Sequence, residues 1–152
     1  AINKKNDYIN PVIRIAVAAH GMLFLLPRPQ CTTLEKGKID LLMEGYLLYG
    51  ENLEQGATRI LRQVLPTAPL SNLYFNFMHH FENETTNRLI YLFTLDLDDD
   101  SILCNEAFKG GKLWTFQQIE HNLKRNFFSH CFECEYEHLK SIIKTREKYK
   151  EI

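Results

Sequence analysis

The feature that most constrains this chain is a change of period near its middle. In residues 51–65 the apolar side chains Leu53, Ala57, Ile60, Leu61, Val64 and Leu65 recur at i, i+4, i+7, i+8, i+11 and i+12. That spacing gathers them on one stripe of an α-helix. Asn52 stands where an N-cap belongs and Pro66 where the helix must stop. On either side the apolar residues run together and are β-branched or aromatic, which is strand composition. A one-sided helix set among strands has to bury its stripe on a sheet, so the chain reads as an α+β domain of the layered kind.

The strands can be placed in the same way. Residues 12–18 are β-branched and apolar, His20-Gly21 supplies turn chemistry, and residues 22–26 are apolar again up to Pro27, which together read as a hairpin. Residues 28–38 form a polar loop, and residues 39–48 a short strand interrupted at Gly45. A second hairpin is expected from residues 73–81 and 88–97 across a polar turn, closed by Asp98, Asp99 and Asp100. After Gly110-Gly111 come a short strand at 112–116, a short helix at 117–124 and a terminal helix at 133–150. The expectation is a single domain over residues 1–152, with 1–10 as a flexible start.

Composition narrows the function classes. A hydrophobic fraction of 45% with 24% charged residues suits a packed core and excludes a disordered chain. Lys+Arg 18 against Asp+Glu 19 leaves a net charge of -1, so no overall basic field holds nucleic acid or an anionic membrane. No apolar run approaches the roughly 18 residues of a membrane span. The polar first ten residues carry no signal segment, and four unevenly spaced cysteines do not make a disulfide framework. The chain therefore reads as cytoplasmic, with reduced thiols.

Residues 45–66, Gly-Tyr-Leu-Leu-Tyr-Gly-Glu-Asn-Leu-Glu-Gln-Gly-Ala-Thr-Arg-Ile-Leu-Arg-Gln-Val-Leu-Pro, resemble a Nudix box: Gly, five residues, Glu, seven residues, then Arg-Glu-aliphatic-any-Glu-Glu-any-Gly. Gly45, Glu51, Arg59 and Leu61 fall on matching positions. The apolar run ending at Arg28 looks like the strand that precedes the box. Residues 112–119 resemble the family's aromatic segment before its last helices. The resemblance implies a Nudix-like α/β/α sandwich, a mixed sheet flanked by helices. It also implies a family chemistry in which box carboxylates hold divalent cations against a diphosphate.

The departures then carry the reading. Ile60, Gln63 and Val64 occupy the positions of the remaining box carboxylates, and Pro66 that of the closing Gly. Mg²⁺ takes oxygen ligands, which Ile and Val lack. Ile60 and Val64 are i and i+4 on the apolar stripe, so the former metal face should be dry. The leading expectation is a Nudix-fold module with a degraded box and no pyrophosphohydrolase activity, needing no cofactor. It would bind a nucleotide-like small molecule through Arg28, Glu44, Tyr46 and Arg88, with Tyr74 and Phe77 among the pocket walls, or act as an interaction module.

A second reading is a divergent hydrolase cleaving a nucleoside diphosphate linked to another group. Glu51 would then be catalytic, and Glu51, Glu54 and Glu106, with help from Glu44, would hold Mg²⁺ or Mn²⁺. A third is a homodimer sealed by Phe127, Phe128, Phe132 and Tyr136.

Three clusters take a plainer interpretation. The acids from Asp96 to Glu106 lack the Gly and Glu of a calcium loop, since Ser101 and Ala107 stand there. Cys131 and Cys134, near His130 and His138, have no second ligand pair at finger distance and are read as packed thiols. His79 and His80 are neighbours on a strand and point to opposite faces, so one should be exposed and the other a satisfied core or pocket residue.

Overall fold

The structure, a computed structural model, describes residues 8–29 and 35–151. Seven strands and three α-helices follow in the order β1 (Asn10–Ala19), β2 (Met22–Pro27), β3 (Ile39–Leu41), β4 (Met43–Tyr46), α1 (Leu53–Val64), β5 (Leu73–Glu82), β6 (Asn87–Leu97), β7 (Lys112–Trp114), α2 (Phe116–Asn122) and α3 (His130–Lys150). A mixed sheet flanked by helices is the fold class expected. Among the described residues no helix is long and apolar enough to cross a membrane. Residues 1–7, which make up most of the expected flexible start, and Cys31 lie outside the described residues.

The chain divides into two compact units, and β1 passes through both. The first holds residues 8–16 and Met43–Leu95. Its strands run β4–β1–β6–β5, with Ile15 opposite Met43 on one side and β5 closing an antiparallel hairpin with β6. Val12, Ile13, Ile15, Ile90, Leu92 and Leu95 are buried in it, together with Ala57, Ile60 and Leu61 of α1. The helix comes close to β1 because Gly56 has no side chain: a Cβ there would stand 2.7 Å from Ile13 Cδ1 and 2.9 Å from Leu47 Cδ1.

The second unit holds Val17–Leu42 and residues 96–151. Val17 to Ala19 pair with Phe24 to Met22 across a tight turn in which His20 and Gly21 both have positive φ, the geometry that matches the twist of a two-residue hairpin. β2 also pairs with β3 and β7. The core of this unit is aromatic: Trp114 meets Phe127 and Phe128, Phe128 meets Phe132, and Phe132 meets Tyr136, with centroids 5.2 to 6.0 Å apart. The homodimer surface expected from these rings is therefore mostly interior. Phe128, Phe132 and Tyr136 are buried and Phe127 alone of the four is exposed. Rings of this size contribute most where they are fully desolvated, and a helix start that packs on a Trp desolvates them within one chain.

Three departures from the expectation have a clear local cause. The strand at 39–48 breaks at Leu42 and not at Gly45, because β3 pairs with β2 while β4 pairs with β1, and the chain bends to change partner. Gly45 lies inside β4, opposite Ile13. α3 begins at His130, three residues early, because the Ser129 hydroxyl accepts a hydrogen bond from Phe132 N at 3.1 Å and caps it. The Asp98 to Asp100 run does more than close a hairpin: Asp99 caps a 3₁₀ turn over Asp100–Leu103, accepting from Ser101 N at 2.9 Å.

Candidate functional site

α1 organises the first unit's site. Asn52 and Gln55 form a reciprocal capping box, with Gln55 N donating to Asn52 Oδ1 at 2.8 Å and Asn52 N to Gln55 Oε1 at 3.0 Å. Just before it, Glu51 is gripped on both oxygens. Oε2 accepts from Arg59 Nε at 2.7 Å, and Oε1 accepts from Arg59 Nη2 at 3.0 Å and from Leu48 N at 2.8 Å. Arg59 Nη2 also donates to Tyr46 O at 2.8 Å, so one guanidinium ties residues 46–51 to the helix. The Arg59 fork first, then the Leu48 amide, hold the Glu51 carboxyl below its ordinary range. Arg62 performs a similar task at the other end, donating to Pro66 O at 2.8 Å and Ala68 O at 2.7 Å. Sequence reasoning passed over Arg62, although a cation in the last turn of a helix is a readable signal.

The adjoining face of the helix is dry. Ile60 is 3% exposed, and its Cδ1 lies 2.9 Å from where a Gly45 Cβ would stand. Val64 is half-buried and Gln63 exposed. A divalent cation of the Mg²⁺ or Mn²⁺ kind needs several oxygen ligands converging on one point. Here the helix offers aliphatic carbon, and the Glu51 carboxylate is engaged with three N–H groups. The side chains present do not fit the metal that the fold family implies. Of the other carboxylates considered for a metal, Glu54 is exposed beside a cavity of about 320 Å³ walled by Leu53, Thr58, Leu70, Leu73, Phe75 and Phe93. Glu106 belongs to the second unit, where it is exposed at the start of a 3₁₀ turn.

Of the four residues expected to bind a ligand, the structure brings three together. Glu44, Tyr46 and Arg88 line one cavity of about 260 Å³ with Val12 and Gly45. Arg28 lies in the second unit and pairs with Asp40 at 2.9 Å. Tyr74 and Phe77 line neither cavity. A bulge between Phe75 and Phe77 shifts the alternation of β5, and it is Phe75 that reaches the larger one.

Arg14 went unnoticed in the sequence. It is 1% exposed and donates to Glu44 Oε1 at 2.7 Å from the directly opposite position on β1. A charged residue inside Val-Ile-Arg-Ile was the signal, since a buried guanidinium requires a partner.

The histidines are placed as expected, whereas of the two thiols expected to be packed only Cys131 is. Cys131 is buried, with Sγ 3.7 Å from Glu135 Oε2 on the same helix, and Cys134 is exposed. Partial burial first, then Glu135 and Glu133, push the Cys134 thiol up, which disfavours the reactive thiolate. His79 is half-buried against Phe77, whereas His80 is exposed, its Nε2 2.5 Å from Asn87 Oδ1.

No protein-family model matches the chain. No curated protein matches it either. Solved structures do match in fold. The MutT protein of Methanosarcina mazei superposes with a TM-score of 0.61 at 16% identity, covering 97% of this chain and 99% of its own. A Nudix hydrolase from Nitrosomonas europaea gives 0.56 at 14% identity, covering 80% of each chain. The C-terminal domain of mouse MUTYH, solved in complex with human PCNA, gives 0.54 at 14% identity over 74% of this chain and 77% of its own. The chain has the Nudix fold.

Proposed function

We propose that this chain keeps the Nudix fold as a ligand-binding or interaction module and lacks metal-dependent pyrophosphohydrolase chemistry. One observation carries the reading: where a cation would need carboxylates, Ile60 is packed against Gly45. Fold alone does not license activity. The module works in the cytoplasm and takes a nucleotide-like small molecule, a ligand class supported by the Nudix fold and by the cavity at Arg88. The interaction arm of the reading draws support from the MUTYH domain, a similar fold solved against a protein partner.

The test is turnover of nucleoside diphosphates linked to sugars, nucleosides or phosphate, with Mg²⁺ and Mn²⁺ at neutral and alkaline pH. No release of phosphate or monophosphate is expected. Metal-dependent release that disappears in Glu51→Gln would overturn the reading and restore the divergent hydrolase.

A further inference from the structure

We propose that the cavity beside β4 binds a small organic oxyanion, a phosphate or carboxylate carried on a flat apolar body, with Arg88 as the anion contact and Tyr46 as the apolar face. The proposal rests on the reading of the chain as a binding module and names the chemistry of its site.

Arg88 is the reason. A guanidinium carries five N–H donors in a rigid fork. Among the described residues, Arg88 makes one polar contact, Nη2 to Glu44 Oε2 at 2.9 Å. Its side chain is only 13% exposed, so most of the solvent that would otherwise satisfy the fork has been removed. No buried side-chain nitrogen or oxygen is without a partner among the described residues, so the remaining donors still touch solvent, although little of it reaches them.

Glu44 cannot occupy that second edge, because its other oxygen is held by Arg14 Nη1 at 2.7 Å. Arg14 also offsets part of the charge by which Glu44 would repel an incoming anion. The geometry leaves one edge of a largely buried guanidinium for a planar or tetrahedral oxyanion, the arrangement in which paired N–H···O⁻ bonds are strongest.

The remaining walls define the body of the ligand. Val12 is buried and apolar, Gly45 contributes backbone alone, and Tyr46 is 64% exposed beside them. The volume of about 260 Å³ falls just below the roughly 300 Å³ at which pockets begin to hold drug-sized molecules. A single ring with one anionic group fits that space, and a dinucleotide does not. A cation is disfavoured, since the one carboxylate in the lining is already held by two guanidiniums.

Calorimetry on metal-free protein with phenyl phosphate, benzoate, inorganic phosphate and phenol tests the site. Phenyl phosphate or benzoate should bind, and the tighter of the two identifies the head group. Inorganic phosphate should bind more weakly and phenol not at all. Arg88→Lys keeps the charge and loses the fork, so affinity for the aryl anions should fall about tenfold. Tyr46→Ala, at an exposed position, should weaken phenyl phosphate and leave inorganic phosphate unchanged.

Phenol binding as tightly as phenyl phosphate, undiminished binding in Arg88→Lys, or no binding of any anion would overturn the proposal. If Arg88→Lys fails to fold, equal phenyl phosphate affinity in Tyr46→Ala and the parent overturns it instead. Turnover measured on the same samples separates the two readings. Metal-dependent hydrolysis removes the non-catalytic reading and leaves an Arg88 result standing, whereas no binding and no turnover removes this inference alone.

Discussion

Two neighbouring faces of α1 differ in chemistry. On one, Arg59 reaches back to Glu51 in a charge pair with full fork geometry. On the next, Ile60 faces Gly45 with no polar atom between them. The first pair sets the path of residues 46–51, because Arg59 also holds Tyr46 O. The second position has no role in the backbone path beyond filling space. The residues that build the loop are polar and the position beside them is aliphatic, as expected if stability and activity make separate demands on the same helix.

The largest effect should come from reversing the dry face. Ile60→Glu would bury an unpaired carboxylate where the side chain is 3% exposed, at a cost of about 3 to 5 kcal/mol. Urea denaturation reads this directly. Adding Gln63→Glu and Val64→Glu lowers stability further through like-charge repulsion, and Mg²⁺ or Mn²⁺ should restore part of it in the triple variant and none in the parent. A triple variant whose stability ignores both metals would mean that these positions do not converge on one site with Glu51.

The contact between Ile60 and Gly45 can be tested without charge. Gly45→Ala places a methyl 2.9 Å from Ile60 Cδ1 and 3.0 Å from Cγ1, and overpacking of this kind costs about 1 to 3 kcal/mol. Ile60→Val removes Cδ1 and should recover much of that loss, which a double-mutant cycle measures as coupling between the two sites. Additive effects would show that Gly45 is kept for another reason.

This pair also shows how far the sequence could be read. The stripe Leu53, Ala57, Ile60, Leu61 announced the helix, its burial and the absence of metal-ligating side chains from it, because period 3.6 is local information. The change of strand partner at Leu42 was invisible, since it depends on which neighbours β1 and β2 present. Gly45 was misread as a strand break for the same reason: its missing side chain answers to Ile60, fifteen positions away. Among the site residues, Glu44, Tyr46 and Arg88 were placed together by the order of the elements. Arg28 was not, because its partner Asp40 lies across β2 and β3. Arg14 was hidden by its apolar neighbours.

At the far end of α1, Arg62→Ala should cost about 1 kcal/mol, the value of a side chain closing a helix terminus through two carbonyls. Thermal melts against Arg62→Lys resolve it. Lys keeps the charge and can satisfy one carbonyl, so it should fall between the parent and Ala. Equal melting temperatures for all three would mean that Pro66 and Ala68 do not need the contact.

The smallest effect, and the one that tests the fork geometry of the polar face, is a pH dependence. Glu51 lies below its ordinary value of 4.5 in the folded chain because Arg59 and the Leu48 amide bind the ionised form. A carboxyl with a depressed folded value contributes stability that is present above its unfolded value and is lost as pH falls through the folded one. Glu51→Gln cannot ionise, so the stability difference between parent and variant should be constant at neutral pH and shrink as pH falls below 4.5. The pair is partly open to solvent, so salt should shrink the same difference at pH 7. A difference independent of both pH and salt would mean that Gln disturbs packing alone, and that the Arg59 fork holds residues 46–51 through Tyr46 O without help from the carboxylate.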